Sequence, residues 1–483
     1  RGLHLDLSRV PPDDPATFEM LCRGDTVGVF QLESRAQMAT LPRLRPRTWY
    51  DLVIEISIVR PGPIAGQMFH PYLRRRQGLE AVEYPHPSLR PVLEKTLGVP
   101  LFQEQVMRLA VVAADYTPGE ADQLRRDMAA WRRGGRIEAH RDRLVSRMIE
   151  KGIPAEFAER VFQQIRGFGE YGFPESHAAS FALICQATAW LRRHFLPEFV
   201  CALLNAQPMG FYSVATIVQD ARRHGLEVLP VDARRSDWDC SLEETPGGRH
   251  PFGVRMGLRL VRGLGPAHRK ALEEAPPPYP SLEDFVARTG LPSPALQALA
   301  RAGAFEGFGL SRREALWALG PLVARRGQSL PLAGDPGAPP VLPALTSFET
   351  LAWDHRNAGH SPRGHLLQPL RPLLRSRGLL AASEVQALPG GTEVRSAGLV
   401  ICRQRPVNAR GVVFLTLEDE TGFLNVVLFR EVQQAHRPLW KTAALLGVSG
   451  RLQVQDGVAH LVARELFPVD LPLPAPVESR DWR

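Results

Sequence analysis

At 483 residues, 44% hydrophobic and 23% charged, the chain has the length of about three domains and a globular composition, which excludes disorder for most of it. Lysine and arginine number 59 against 51 acidic residues, and the formal charge of +8 favours a polyanionic partner. The scattered Cys22, Cys185, Cys201, Cys240 and Cys402 form no CxxC pair, which argues against a zinc site or a disulfide framework; no apolar run long enough to span a membrane and no signal-peptide pattern occurs, so the expectation is a cytoplasmic protein with no membrane partner.

Near the start, Pro11, Pro12 and Pro15 break structure and an Asp caps a helix over residues 16–21, so Asp13 and Asp14 read as caps and not as catalysts. Residues 27–32 carry the apolar weight of a short buried strand or turn, and Glu33-Ser34 begins another helix. Arg60-Pro-Gly-Pro63 holds Arg60 in a stiff turn, suited to a phosphate contact, although a bare proline turn reads the same way. Helices are expected through residues 88–205, with Gln103, Glu104 and Gln105 presenting hydrogen-bonding groups between Phe102 and Val106.

Over residues 120–133, Leu124, Met128 and Trp131 form one apolar ridge, while Arg125 with Arg132 and Arg126 with Arg133 form two basic ridges turned away from it. A rigid helix presenting four guanidiniums suits a triphosphate or a nucleic-acid backbone; the alternative is a solvated basic face. In the loop over residues 166–177, Gly167, Gly169 and Gly172 permit close backbone approach, and Tyr171 and Phe173 offer flat faces beside Ser176 and His177. That set fits a base and its phosphates, and it equally fits a buried turn in which His177 caps a helix. Residues 178–195 are apolar nearly all round and predict a central buried helix.

Beyond residue 211, a helix over 212–224 and a strand over 228–231 precede Asp237 and Asp239, a D-x-D pair whose spacing suits two-metal chemistry on a strand; the structural reading is preferred. Residues 258–270, with Gly263-Leu-Gly265 followed by a basic helix carrying Arg269 and Lys270, have the pattern of a helix-hairpin-helix, whose backbone N–H groups grip a DNA phosphate. A second, degenerate copy is expected within residues 282–305. Residues 320–347 are rich in structure breakers and read as a linker, and a helix is expected over 348–360. Five strands between residues 393 and 466 predict an OB-fold, with Arg403, Arg405 and Arg410 beside a groove and Phe414, Phe423 or Phe429 as stacking faces. Glu418, Asp419 and Glu420 read as a solvated turn.

Val29-Phe-Gln-Leu-Glu-Ser34, Val59-Arg-Pro-Gly-Pro63, Leu101-Phe-Gln-Glu-Gln-Val-Met107, Leu124-Arg-Arg126 and Tyr171-Gly-Phe-Pro-Glu-Ser-His177, in that order, resemble the fingers of bacterial C-family DNA polymerases, the DNA polymerase III alpha type. Met68-Phe-His-Pro-Tyr-Leu-Arg-Arg-Arg76, Tyr84-Pro-His-Pro87 and Met128-Ala-Ala-Trp-Arg-Arg133 resemble its error-prone branch. The resemblance implies a multidomain α+β protein: fingers with a palm-fingers link over 1–210, a helix-hairpin-helix region over 211–319, a linker and helical connector over 320–389, an OB-fold over 390–467 and a flexible tail over 468–483. It implies template-directed DNA synthesis in damage tolerance, with nucleotide contacts from Arg125, Arg126, Arg60, His177, Tyr171 and Gln103, and DNA contacts from Gly263, Gly265, Arg269, Lys270, Arg403, Arg405 and Arg410. Partners would be primer-template DNA, deoxynucleoside triphosphates, mutasome accessory proteins and, indirectly, the sliding clamp. The family's three catalytic Asp residues and the Mg2+ they bind lie in a palm N-terminal to these motifs, so the chain is expected to be a fragment, inactive alone, with no metal ligands of its own. The rival readings are a non-catalytic nucleic-acid-binding accessory protein and a piece of a replicative polymerase.

Overall fold

The computed structural model describes all residues except 1–3, 60–68, 85, 130–139, 169–173, 211, 326–341, 407–410, 456, 472–478 and 483. The chain divides into two units, one of residues 1–194, the other of residues 195–455 with 459–483.

The first unit is helical. Asp14 caps α1 (Pro15–Cys22), accepting from the Thr17 N–H at 2.8 Å as the sequence predicts, and Ser34 caps α2 (Arg35–Leu44). Residues 27–32 form turns rather than a strand, with Val27, Val29 and Leu32 buried. Thr48 and Asp51 make a reciprocal cap for α3 (Trp49–Ile58), which is buried from Asp51 to Ile58. The unit continues through α4 (Phe69–Arg76), α5 (Gln103–Ala114), α6 (Pro118–Ala129), α7 (Arg141–Glu150), α8 (Ala155–Phe168) and α9 (Glu175–His194). Against α3, α9 buries only one face, through Ala178, Ala182, Cys185 and Ala189. The expectation of an all-round buried helix is corrected by Leu183 and Ile184, which are 55% and 40% exposed: hydrophobicity alone does not place a side chain when a helix has only one neighbouring layer on that side.

The second unit opens with α10 (Leu196–Asn205) and α11 (Val214–Arg223), then a three-stranded sheet of β1 (Val228–Leu229), β2 (Ser241–Glu244) and β3 (Phe252–Arg255) in the order β1-β3-β2. α12 (Pro266–Glu274), α13 (Leu282–Thr289), α14 (Ser293–Ala302) and α15 (Arg312–Arg325) follow, around a core containing Tyr279, Phe285 and Phe305. The linker expected from residue 320 is corrected at its start, where α15 runs helical to Arg325; the helix expected beyond it is α16 (Ser347–Ala358), whose buried Asp354 pairs with Arg312 at 2.6 Å and accepts from Ser361 Oγ at 2.6 Å, while Gln219 of α11 donates to the Ser361 and Gly364 carbonyls at 3.1 and 3.0 Å. Residues 326–341 lie outside the described ones.

After α17 (Arg371–Ser376) and α18 (Ala382–Gln386) come β4 (Glu393–Gln404), β5 (Val413–Asp419), β6 (Gly422–Leu428), α19 (Arg430–Ala435), α20 (Arg437–Thr442), β7 (Leu445–Gln455) and β8 (Val458–Pro468). Their order β5-β6-β8-β7-β4 closes because β4 returns to β5, giving the five-stranded barrel of an OB-fold. Gly450 permits the close approach of β7 to β8, since a Cβ there would lie 2.1 Å from the Val462 carbonyl oxygen. Where a flexible tail was expected, β9 (Arg480–Trp482) pairs parallel to β4, Cys402 opposite Arg480. Among the described residues no helix is long and apolar enough to cross a membrane.

Candidate nucleotide and nucleic-acid interface

On α6, Leu124 and Met128 are buried as the ridge predicts, and Arg125 and Arg126 point outward; Trp131, Arg132 and Arg133 lie outside the described residues. One carboxylate holds both cations: Asp122 Oδ1 is 2.8 Å from Arg125 and Oδ2 2.7 Å from Arg126, and the Arg125 hydrogen bond leads in holding the Asp122 carboxyl below its usual range. The sequence reading missed Asp122, although its i,i+3 and i,i+4 spacing is the signal that finds it. The buried face is fixed by a polar chain in which His140 Nε2 lies 3.0 Å from Asp127, the Tyr116 hydroxyl 3.3 Å from His140 Nδ1, and the Arg143 guanidinium 4.5 Å from the Tyr116 ring centre. The two arginines thus stand on a rigid base and share one half-buried carboxylate, which offsets only one of their two charges.

Gln103 is half-buried at the start of α5. Its neighbour Glu104 accepts from the Glu175 N–H at 3.0 Å, joining the first turns of α5 and α9, and the Tyr50 hydroxyl donates to Glu175 Oε1 at 2.7 Å, joining α3 to α9. Burial foremost, then the Glu175 bond, pushes the Tyr50 hydroxyl above its ordinary value. Gln105 departs from its predicted role: it is buried, accepting from the Leu101 and Phe102 N–H groups at 2.9 and 3.2 Å and donating to Val92 and Thr96, so it caps α5 instead of facing a ligand. His177 lies inside α9 and is exposed, its ring 4.1 Å from Phe181, which in turn edges against Phe30 at 5.3 Å. Arg60 and Tyr171 lie outside the described residues.

In the second unit, Gly263 takes the left-handed φ of +98° that the hairpin needs, and α12 begins at Pro266. The segment before the hairpin is a single 3-10 turn, Leu258–Leu260, and the Gly265 N–H donates to His268 Nδ1 at 3.0 Å. A phosphate gripping that amide must displace the imidazole. Arg269 and Lys270 are exposed and pair along the helix with Glu273 at 2.7 Å and Glu274 at 3.7 Å. Where the second copy was expected, α13, a left-handed Gly290 (φ +60°) and α14 follow one another. Asp237 and Asp239 sit in a loop, Asp237 exposed and Asp239 paired with Arg259 at 3.0 Å, an arrangement that does not converge on a pair of metal ions.

On the barrel, Arg403 is corrected from a groove residue to a structural one: it is 8% exposed and donates to the Trp440 carbonyl at 2.7 Å, the Ala443 carbonyl at 2.6 Å and the Ser479 hydroxyl, which ties β9 down. Arg405 is exposed, and Arg410 lies outside the described residues. Of the three phenylalanines, Phe414 and Phe423 are half-buried, Phe423 lying 4.8 Å under the Arg223 guanidinium, whereas Phe429 is 51% exposed. Register sets Arg405 and Phe429 at the same end of the barrel: Arg405 follows the Gln404–Phe414 pair and Phe429 follows the Val413–Leu428 pair, so they stand on either side of the start of β5. A cation and an open aromatic face at one barrel end are the elements of a single-strand platform. The supposed solvated turn is instead buried: Glu418 pairs with Arg223 at 3.1 Å, and Arg371 clasps Asp419 at 2.8 Å together with Glu420. These carboxylates face cations supplied by elements distant in sequence, α11 and α17, which no local pattern reveals.

Three family models match: the bacterial DNA polymerase III alpha subunit finger domain over residues 1–152, a helix-hairpin-helix motif over 225–315 and an OB-fold nucleic acid binding domain over 394–469. The chain is 52% identical over 471 residues to the error-prone DNA polymerase of Alkalilimnicola ehrlichii, which takes in 96% of this chain and 45% of that protein. It is 48% identical over 506 residues to that of Methylococcus capsulatus, with 100% and 48% covered, and 50% identical over 492 residues to that of Pseudomonas paraeruginosa, with 100% and 47% covered. The chain spans about half the length of the curated relatives it matches. With its finger, helix-hairpin-helix and OB-fold regions in this order, and with similarity running along its whole length to polymerases named error-prone, the chain belongs to the bacterial DNA polymerase III alpha-type family, in its error-prone branch.

Proposed function

We propose that this chain is the C-terminal part of an error-prone DNA polymerase that performs template-directed nucleotidyl transfer across damaged templates. The observation that carries the reading is similarity of about half the residues along the entire chain to polymerases so named. Within it, Arg125 and Arg126, freed from Asp122, take the triphosphate of the incoming deoxynucleotide, and Gln103, Arg60, Tyr171 and His177 complete the pocket. Their contribution is to bind and orient the triphosphate and to offset its charge. Mg2+, when bound, supplies Lewis-acid activation from acidic palm residues outside this chain; the chain's own acidic pairs at Asp237 and Asp239 and at Glu418 and Asp419 do not fit that task. The Gly263–Gly265 hairpin with Arg269 and Lys270 holds duplex phosphates, and Arg405, Arg410 and Phe429 take the single-stranded template. Accessory proteins of the mutasome, and through them the sliding clamp, are the partners this reading implies, in the cytoplasm.

In the whole polymerase, Arg126→Ala should raise the nucleotide KM while primer-template affinity is kept. Unchanged nucleotide use together with weakened DNA binding would assign the helix to DNA instead.

A further inference from the structure

At the end of β4 remote from Arg405, an open cleft of about 610 Å3 runs along the outer face of the barrel. Gly390 and Gly391 form one wall, and Arg451, Gln453 and Val454 of β7 with Arg464 of β8 form the other. Two successive residues of its wall lack side chains and leave backbone bare: a Cβ on Gly390 would lie in contact, 3.5 Å from Val454 Cβ, and one on Gly391, whose φ is +93°, 3.4 Å from an Arg451 guanidinium nitrogen. Alternation along β7 puts Arg451 and Gln453 on the same outward face, with Leu452 between them in the core.

Both guanidiniums are anchored without being used up. Arg451 Nε donates to the Gly391 carbonyl at 3.2 Å, and Arg464 pairs with exposed Glu393 at 2.8 Å. A guanidinium has five N–H donors, so each arginine retains donors for a ligand, held in position by its anchor. Arg451 and Glu393 are Cα partners across β7 and β4, which sets cations on neighbouring strands around one carboxylate. The lining offers two forked cations, an amide, bare backbone and a small apolar part, Val454, 42% exposed, with half-buried Val462 and buried Leu452. It offers no aromatic face for a base. Such a lining recognises phosphodiester oxygens and is indifferent to the bases.

We propose that this cleft is a second contact for the phosphate backbone of single-stranded DNA, at the opposite end of β4 from the Arg405–Phe429 platform. The inference rests on the nucleic-acid-binding reading of the barrel and extends it. β4 has 12 residues, which is about 35–40 Å of extended strand, so only a strand of several nucleotides reaches both places. The barrel then grips its strand at two ends, one stacking a base and one holding only backbone.

The test is fluorescence anisotropy of the full 483-residue chain with labelled oligo-dT of 4 and 20 nucleotides across a salt series. Arg451→Ala with Arg464→Ala should weaken the 20-mer about tenfold and lower the slope of log K against log salt by about 1.4, the value for two single-strand phosphate contacts. The Lys pair at the same positions should restore most of that slope, and Glu393→Gln, which removes the competing carboxylate, should tighten the 20-mer. Arg405→Ala with Phe429→Ala should weaken both lengths. If the 20-mer keeps its affinity and slope in the Arg451/Arg464 double variant while the Arg405/Phe429 variant weakens it, the cleft is overturned and the barrel's single-strand reading stands. If the unaltered chain binds neither oligonucleotide, both fall.

Discussion

Glu55 of α3 is fully buried, and neither carboxylate oxygen has a hydrogen-bond partner. Burial alone raises its pKa well above the ordinary carboxyl value. The titratable groups that face it are the Cys185 thiol from α9 and the Tyr72 phenol from α4, with Asp51 a turn away on its own helix and already paired with Arg76 at 2.8 Å. None supplies a positive charge to an ionised carboxylate. Burial therefore favours the neutral form of Glu55 in the folded unit, and even when neutral it carries the cost of an unsatisfied buried polar group, on the order of 1–3 kcal/mol. Glu55→Leu should recover about that much, and for a unit of this size each kcal/mol moves the unfolding midpoint by about 2–4 °C. The pH dependence follows from linkage. With the folded pKa raised, the full contribution is present below the unfolded carboxyl value of 4.5, and stability is lost as pH rises from there through the folded pKa, because the unfolded chain releases a proton that the folded one keeps. Glu55→Gln should remove that slope, matching the parent in mild acid and exceeding it at pH about 8. Hydrogen exchange at the α3 and α9 amides, followed from mild acid to mild alkali, separates this unit's opening from that of the other. An identical pH slope in parent and Glu55→Gln, or a Glu55→Leu variant less stable than the parent, would refute the reasoning.

Arg371→Met leaves Asp419 and Glu420 at the barrel without their cation and should cost about 3–5 kcal/mol, read as a lowered denaturation midpoint; a change below 1 kcal/mol would show those carboxylates to be solvated. The 483-residue chain alone should not extend a primer, and in the whole polymerase Asp237→Asn with Asp239→Asn should keep measurable synthesis; a loss as complete as on chelation of Mg2+ would restore the pair as ligands. Arg126→Ala should cost about 1.5–3 kcal/mol in nucleotide kcat/KM, offset by any gain from releasing Asp122, and no loss in single-turnover incorporation would dismiss the helix from the pocket. A Cβ at Gly265 meets no atom within 4 Å and the backbone there is extended, so Gly265→Val should fold; weakened duplex binding in that variant reports on the hairpin, and unchanged binding removes the assignment.

Much was legible in the sequence because the signals were local. Asp14 before its helix, the Leu124–Met128 ridge, the Gly263 turn and five runs of alternating strand each depend on residues a few positions apart, and backbone sterics, capping and periodicity act at that range. Ordered motifs carried the family for the same reason: each is a short segment whose side chains need no partner from elsewhere to be recognised. Tertiary structure decided where charge and exposure end up. Arg403 and Arg405 are two residues apart on similar sequence, yet one is buried under the carbonyls of Trp440 and Ala443 and the other is open. Among Phe414, Phe423 and Phe429, only closure of the barrel and the approach of Arg223 select the exposed ring. Glu418 and Asp419 looked solvated because their cations, Arg223 and Arg371, stand about 195 and 48 positions away. Burial of an ion costs several kcal/mol unless a counter-charge arrives with it, and whether one arrives is settled by the packing of distant elements.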